Sequence, residues 1–149
     1  MTQQVIFGQE RPTCPACQYV QFYDPKVAAA AFVVQDQQVL LVKRGIEPEL
    51  GKWALPGGYV DYGEDPAQAA IREASEETGL QVAVTTLEDV IFTQAFHPVI
   101  LIVYRARPIG GALQAGDDAE AVAWFGPSEW PAIAFESTQR VLARWLTTL

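Results

Sequence analysis

The stretch "GGYVDYGEDPAQAAIREASEETGL", residues 57–80, constrains this chain more than any other. It opens on two glycines and continues into a helix whose ends are both written in the sequence. Asp65 suits the N-cap, Pro66 the first helical position and Gln68 the third, a variant of the capping box. Gly79 suits the left-handed residue that closes a helix. Ala67, Ile71, Ala74 and Thr78 fall on one side of this helix, with Glu73, Glu76 and Glu77 a quarter-turn or more away. The expectation is an apolar side packed on a sheet and an acidic side facing a cleft. Ala67, Ala70 and Ala74 are small enough to let the helix approach the sheet closely.

Like charges three and four residues apart on a helix cost roughly 0.2–0.5 kcal/mol per pair. Three glutamates alone read as a solvated helix face. Their crowding acquires a purpose if cations offset it: Mg²⁺ takes oxygen ligands and keeps waters and substrate phosphates in its shell.

Strand signals surround the helix. "VAAAAFVV" (27–34), "QDQQ" (35–38) and "VLLVKR" (39–44) read as a hairpin, followed by a loop with a short strand near 53–55. Further strands are predicted at 82–87, 90–93, 98–106 and 121–125, with "GGALQAGDDAE" (110–120) as an exposed loop. Phe135, Val141, Leu142, Trp145, Leu146 and Leu149 form the apolar stripe of a closing helix. Sheet interleaved with two helices gives a mixed α/β sandwich, a size that 149 residues fill as one domain.

The formal charge of −8 argues against nucleic acid or an anionic membrane as partner. No apolar run approaches the roughly 18 residues of a membrane span, and the first residues lack a basic segment followed by an apolar core. A cytoplasmic protein is expected. Cys14 and Cys17, in "CPAC", have a spacing that suits metal or redox chemistry. A tetrahedral zinc needs four ligands, so the pair reads as reduced cysteines in a turn, as half of a zinc site completed by other groups or across a homodimer, or as a redox pair.

From Gly58 the chain obeys G-x5-E-x7-R-E-U-x-E-E-x-G-U through Gly58, Glu64, Arg72, Glu73, Ala74, Glu76, Glu77, Gly79 and Leu80. Seven of these positions demand one residue each; at roughly 6% usage per residue type, chance agreement is on the order of one in 10⁸ per starting point. The stretch resembles the Nudix box, and the chain resembles Nudix hydrolases over nearly its whole length. The resemblance implies a Nudix-type α/β/α sandwich with the box as loop, helix and loop, and a Mg²⁺- or Mn²⁺-dependent pyrophosphohydrolase acting on a small nucleotide. It implies Glu73 and Glu77 as central metal ligands and catalytic groups, Glu76 as a further ligand and the Gly57 carbonyl as a backbone ligand. Glu64 and Arg72 would pair, and with Gly58 and Gly79 would shape the box.

The general base is sought in "GDDAEAV", where Asp117, Asp118 and Glu120 compete and Glu120 is favoured. Among Lys43, Arg44 and Lys52, Arg44 is the chosen phosphate contact, because arginine binds bidentately. His97 reads as a loop histidine. Of the later aromatics, Phe96 is the candidate platform for a base, with Phe92 and Tyr104 read as core. The segment 1–25 resembles the extension of the branch in which a zinc ribbon precedes the catalytic domain, here 26–149. That branch includes ADP-ribose, FAD and NADH diphosphatases. Only one of the ribbon's two CxxC pairs is present, and "IFTQAFHPVI" stands where the NADH-type signature would. The expected reaction is cleavage of ADP-ribose or a similar NDP-linked compound to AMP and a phosphorylated partner. The alternatives are a MutT-like triphosphate pyrophosphatase and a non-catalytic nucleotide-sensing module.

Overall fold

The computed structural model describes residues 1–149. It begins with a hairpin absent from the sequence expectation, β1 (Thr2–Ile6) and β2 (Gln9–Thr13), paired antiparallel and separate from the main sheet. Polar residues dominate both strands and mask the usual alternation; the turn at Phe7 and Gly8, both with positive φ, sets the pairing. Cys14 and Cys17 lie in the turn that follows.

The apolar run forms the middle of β3 (Lys26–Gln35) and returns into β4 (Gln38–Arg44). Asp36 and Gln37 both have positive φ, the backbone of a two-residue hairpin turn whose twist matches its strands. β3 and β4 pair only beside this turn, at Val34–Val39 and Gln35–Gln38, and then part. Beyond it β3 takes β6 (Gly57–Tyr59) on one edge and, in parallel, β8 (Val99–Gly111) on the other; β7 (Leu80–Thr93) extends that leaf. β4 instead takes β5 (Trp53–Ala54) and β9 (Ala119–Phe125). One seven-stranded mixed sheet thus opens into two leaves.

Helix α1 (Pro66–Thr78) covers one face, burying Ala69, Ala70 and Ala74 against Ala29, Ala31 and Val33. Helix α2 (Glu136–Leu146) covers the other, packing Val141, Leu142 and Trp145 against Ala30 and Phe32. The Phe32 and Trp145 rings meet edge to face at 6.0 Å. This is the expected α/β/α sandwich, and no helix is long and apolar enough to cross a membrane.

Several boundaries differ from expectation. The two strands predicted within 82–93 are one bent strand, β7, carried past its polar middle by register shifts at 81–82, 84–86 and 87–89. β8 runs on to Gly111, and the exposed loop is correspondingly shorter. The buried stripe of α1 is Ala69, Ala70, Glu73, Ala74 and Thr78, while Ala67 and Ile71 are half-buried. Phe135 caps α2 instead of joining it, and Leu146 and Leu149 are exposed.

Candidate active site

Where the leaves part, they enclose a cleft of about 1040 Å³. Its lining includes Ala28, Ala30 and Leu101 from one leaf and Val42, Arg44 and Ala54 from the other, with Gly57, Gly58, Glu73 and Glu77 between them. The box builds this floor. Asp65 accepts from the amides of Ala67 (2.7 Å) and Gln68 (3.4 Å), fixing the start of α1. Gly79, at φ 76°, ends it, and its amide reaches the Ser75 carbonyl. No L side chain adopts that φ cheaply.

Two glycines bring the carboxylates to the cleft. A Cβ at Gly57 would stand 2.7 Å from the Ala29 carbonyl oxygen, and one at Gly58 would overlap the Glu73 carboxylate. Glu73 is therefore 9% exposed and tucked beneath β6, not out on an acidic face. Arg72 holds the arrangement from outside. Its Nε and one Nη donate to both oxygens of Glu64 at 2.8 and 3.0 Å; the other Nη reaches Glu73 at 2.9 Å and Glu76 at 3.3 Å. The Tyr59 carbonyl accepts at 3.2 Å. The guanidinium, with the Asp61 amide, holds Glu64 down at about 2, and Glu64 in turn raises Arg72.

Glu77 lies beside Glu73. Burial first, then the neighbouring Glu73 carboxyl with which it shares a hydrogen bond, push Glu77 up to about 8; the Gly57 amide and Arg44 pull the other way. This donor set fits a hard divalent cation. Two carboxylates and the β6 backbone could supply oxygens, and an open cleft leaves room for the waters and phosphates that Mg²⁺ retains. It is not a closed cage, because no three His, Cys, Asp or Glu side chains converge as they stand. Glu76, expected as a ligand, is absent from the cleft lining: its i,i+4 partner Arg72 holds it at the surface.

Arg44 does line the cleft. Its guanidinium lies 4.9 Å from the centroid of Phe135, and its Nε donates to the Pro48 carbonyl at 2.8 Å. Phe96 and His97 line the opposite side, with the Tyr59 hydroxyl 2.7 Å from His97 Nε2. Asp117 and Asp118 reach the cleft, whereas Glu120, the favoured base, is not part of its lining and pairs with Lys43 at 3.6 Å. The pairing of β9 shifts register here: Ala119 pairs with Arg44 and Ala121 with Lys43, which leaves Glu120 as an unpaired bulge residue. Sequence reasoning did not single out Tyr59 or the Arg44–Phe135 stack; only the position of Tyr59 directly after the glycine pair could have pointed to it.

Residues 24–146 match the model of the NUDIX domain family. The chain belongs to the Nudix family. It is 40% identical over 121 residues to an ADP-ribose pyrophosphatase of Methanocaldococcus jannaschii, covering 79% of this chain and 72% of that protein. It is 34% identical over 113 residues to a putative 8-oxo-dGTP diphosphatase of Bacillus subtilis, covering 74% of each. A crystal structure of a NUDIX hydrolase from Nitrosomonas europaea superposes with a TM-score of 0.89 at 29% identity, covering 98% of this chain and 85% of that one. The chain is thus a Nudix hydrolase, of a family that uses Mg²⁺ or Mn²⁺ with nucleotide substrates. The cysteines do not complete a zinc site: Cys14 and Cys17 are free, and no third ligand joins them.

Proposed function

We propose that this Nudix hydrolase cleaves the diphosphate of ADP-ribose or a related NDP-linked compound, releasing AMP and a phosphorylated partner. The observation that carries this is the Glu73–Glu77 pair at the floor of a two-leaved cleft, with Glu73 packed against Gly58. The similarity to the Methanocaldococcus jannaschii ADP-ribose pyrophosphatase supports the substrate class.

Glu73 and Glu77, with the Gly57 backbone, would hold the cation, and Glu76, whose Oε2 lies 3.3 Å from Arg72, would add a further ligand only by turning toward the cleft. A cation bound there would polarise the pyrophosphate and acidify a water. The chain's residues do the rest. Arg72 keeps Glu73 aimed, and Glu64 keeps Arg72 in place. Arg44 supplies positive charge to the diphosphate from the opposite leaf. Asp118 or Asp117 takes the proton of the attacking water, so no covalent enzyme intermediate is required. Residues 1–25 form an extension outside the catalytic domain of 26–149, in line with a zinc-ribbon remnant; a homodimer is where its single CxxC could find further ligands.

A MutT-like triphosphatase is the second reading, favoured by similarity to the Bacillus subtilis protein. Comparing kcat/KM for ADP-ribose, FAD, NADH, diadenosine polyphosphates and common nucleoside triphosphates at fixed Mg²⁺ separates the two. Preference for a triphosphate by more than about tenfold, roughly 1.4 kcal/mol in transition-state stabilisation, selects the second. Nucleotide binding without any metal-dependent cleavage would instead mark a sensing module.

A further inference from the structure

We infer that the hydrogen-bonded pair Tyr59–His97 is a positioning element that holds Phe96 at the rim of the cleft and so sets affinity for the ring-bearing half of the substrate. This rests on the nucleotide-hydrolase reading above.

The register places the pair. Tyr59 on β6 lies opposite Ala28 on β3, and Ala28 lies opposite Leu101 on β8; all three line the cleft. Cross-strand partners point to the same face, so the phenol and the Ala28 methyl share the cleft wall. Alanine leaves the space that lets the phenol reach across β3 to the loop before β8. There its hydroxyl meets His97 Nε2 at 2.7 Å, with ring centroids 6.0 Å apart. Lys26 Nζ stands 5.9 Å from the Tyr59 centroid, and the Lys26 amide donates to the Pro98 carbonyl at 3.1 Å, so β3 ties the same loop at a second point.

Tyr59 has a foot in each structure. Its carbonyl accepts from Arg72, which orients Glu73, while its hydroxyl holds the loop carrying Phe96. Phe96 is 62% exposed although it lines a cleft, and Tyr59 is 50% exposed. Two aromatic faces open to solvent beside a metal-binding floor suit a planar heteroaromatic ring. Stacking of this kind is worth about 1–3 kcal/mol per base in nucleic-acid proteins and tolerates any base. Without the Tyr59 hydroxyl the loop loses its side-chain anchor to β6, and ordering Phe96 must then be met from binding energy, which weakens affinity more than it slows chemistry.

The test compares Tyr59→Phe, His97→Ala, His97→Gln and Phe96→Ala with the unaltered protein. The substrates are the preferred nucleotide and phosphoribosyl pyrophosphate, which carries a pyrophosphate without a base. Tyr59→Phe, His97→Ala and Phe96→Ala should each raise KM for the nucleotide about tenfold while kcat changes less than threefold. The loss in kcat/KM should exceed that for phosphoribosyl pyrophosphate by at least tenfold. His97→Gln, which keeps a hydrogen-bonding group, should recover part of the loss. Unchanged KM, a fall confined to kcat, or equal losses on both substrates overturns the inference. Failure of the unaltered protein to hydrolyse any nucleotide overturns both this and the reading it rests on, whereas hydrolysis with unchanged KM in the variants overturns this alone.

Discussion

Glu73 lies so close against Gly58 that any side chain at position 58 would overlap its carboxylate. The glycine is a matter of space, not of backbone conformation. Gly58→Ala should therefore push the carboxyl out from under β6 and separate it from Glu77. Turnover is expected to fall at least about 100-fold, with circular dichroism little changed. A variant that retains near-normal kcat at saturating Mg²⁺ would show that this packing does not set the site.

Glu77→Gln keeps the shape of the side chain and removes a hard anionic ligand. Turnover should drop at least about 100-fold with the fold intact. The same substitution has a signature without metal. Glu77 is raised to about 8 from an ordinary 4.5, so between those values the folded chain binds more protons than the unfolded one. Stability of the metal-free protein from this group must then fall as pH rises through that window. Calorimetry in chelator should show Tm declining from pH 5 to pH 8 in the unaltered protein and declining less in Glu77→Gln. Equal declines in the two would refute the account of the pair.

Glu64 gives the opposite sign. Arg72 and the Asp61 amide hold it near 2, well below 4.5, so its contribution is present above the ordinary value and is lost as pH falls toward 2. Glu64→Gln should remove part of the acid sensitivity and, by freeing Arg72, lower kcat about tenfold. Arg72→Lys should do similar damage, because an ammonium cannot bridge Glu64, Glu73 and the Tyr59 carbonyl as the planar fork does. A lysine variant with full activity would contradict this.

How much of this was legible follows from which forces act locally. The caps of α1, the β3–β4 hairpin and the pairing of Glu64 with Arg72 are written in residues close in sequence or in a fixed pattern. Tyr59 and His97 are 38 residues apart and meet only because β6 and β8 flank β3, which no local signal states. Glu73 was expected on an acidic side facing a cleft and does line it, but helix spacing gives direction and not depth, so its burial was not legible. Its burial comes from a strand that only two glycines allow to sit so near. Glu76 was expected as a further metal ligand; its carboxylate lies 3.3 Å from Arg72, one turn earlier, and outside the cleft lining.

The cysteines carry a narrower prediction. Hydrogen bonds from the Cys17 and Ala16 amides lower the Cys14 thiol, a setting that favours thiolate. With two ligands per chain, elemental analysis of protein purified without chelator should find less than one zinc per chain, or one per two chains if a dimer completes the site. A full equivalent per monomeric chain would require ligands this fold does not bring near Cys14. Cys14→Ser should leave kcat/KM within about twofold, since the hairpin lies outside the cleft.

The proton acceptor is expected from the acidic loop that closes on the end of β4. The Gly45 amide donates to the Asp118 carbonyl at 2.9 Å, and a Cβ at Gly45 would stand 2.7 Å from that oxygen, so the glycine lets the acidic loop close against the strand carrying Arg44. Asp117 and Asp118 thereby reach the cleft, while Glu120 is drawn to Lys43 on the neighbouring register position. A general base must come within hydrogen-bond reach of the water it activates; Asp117 and Asp118 line the cleft and Glu120 does not. Typical general-base contributions are about 10²–10⁴-fold. Asp118→Asn or Asp117→Asn should lose activity in that range and flatten the acidic limb of the pH profile for kcat/KM. Glu120→Gln should cost less than about threefold, the measure of a surface ion pair. If Glu120→Gln instead loses 100-fold and both aspartate variants stay active, the loop must rearrange on binding substrate, and the base is Glu120.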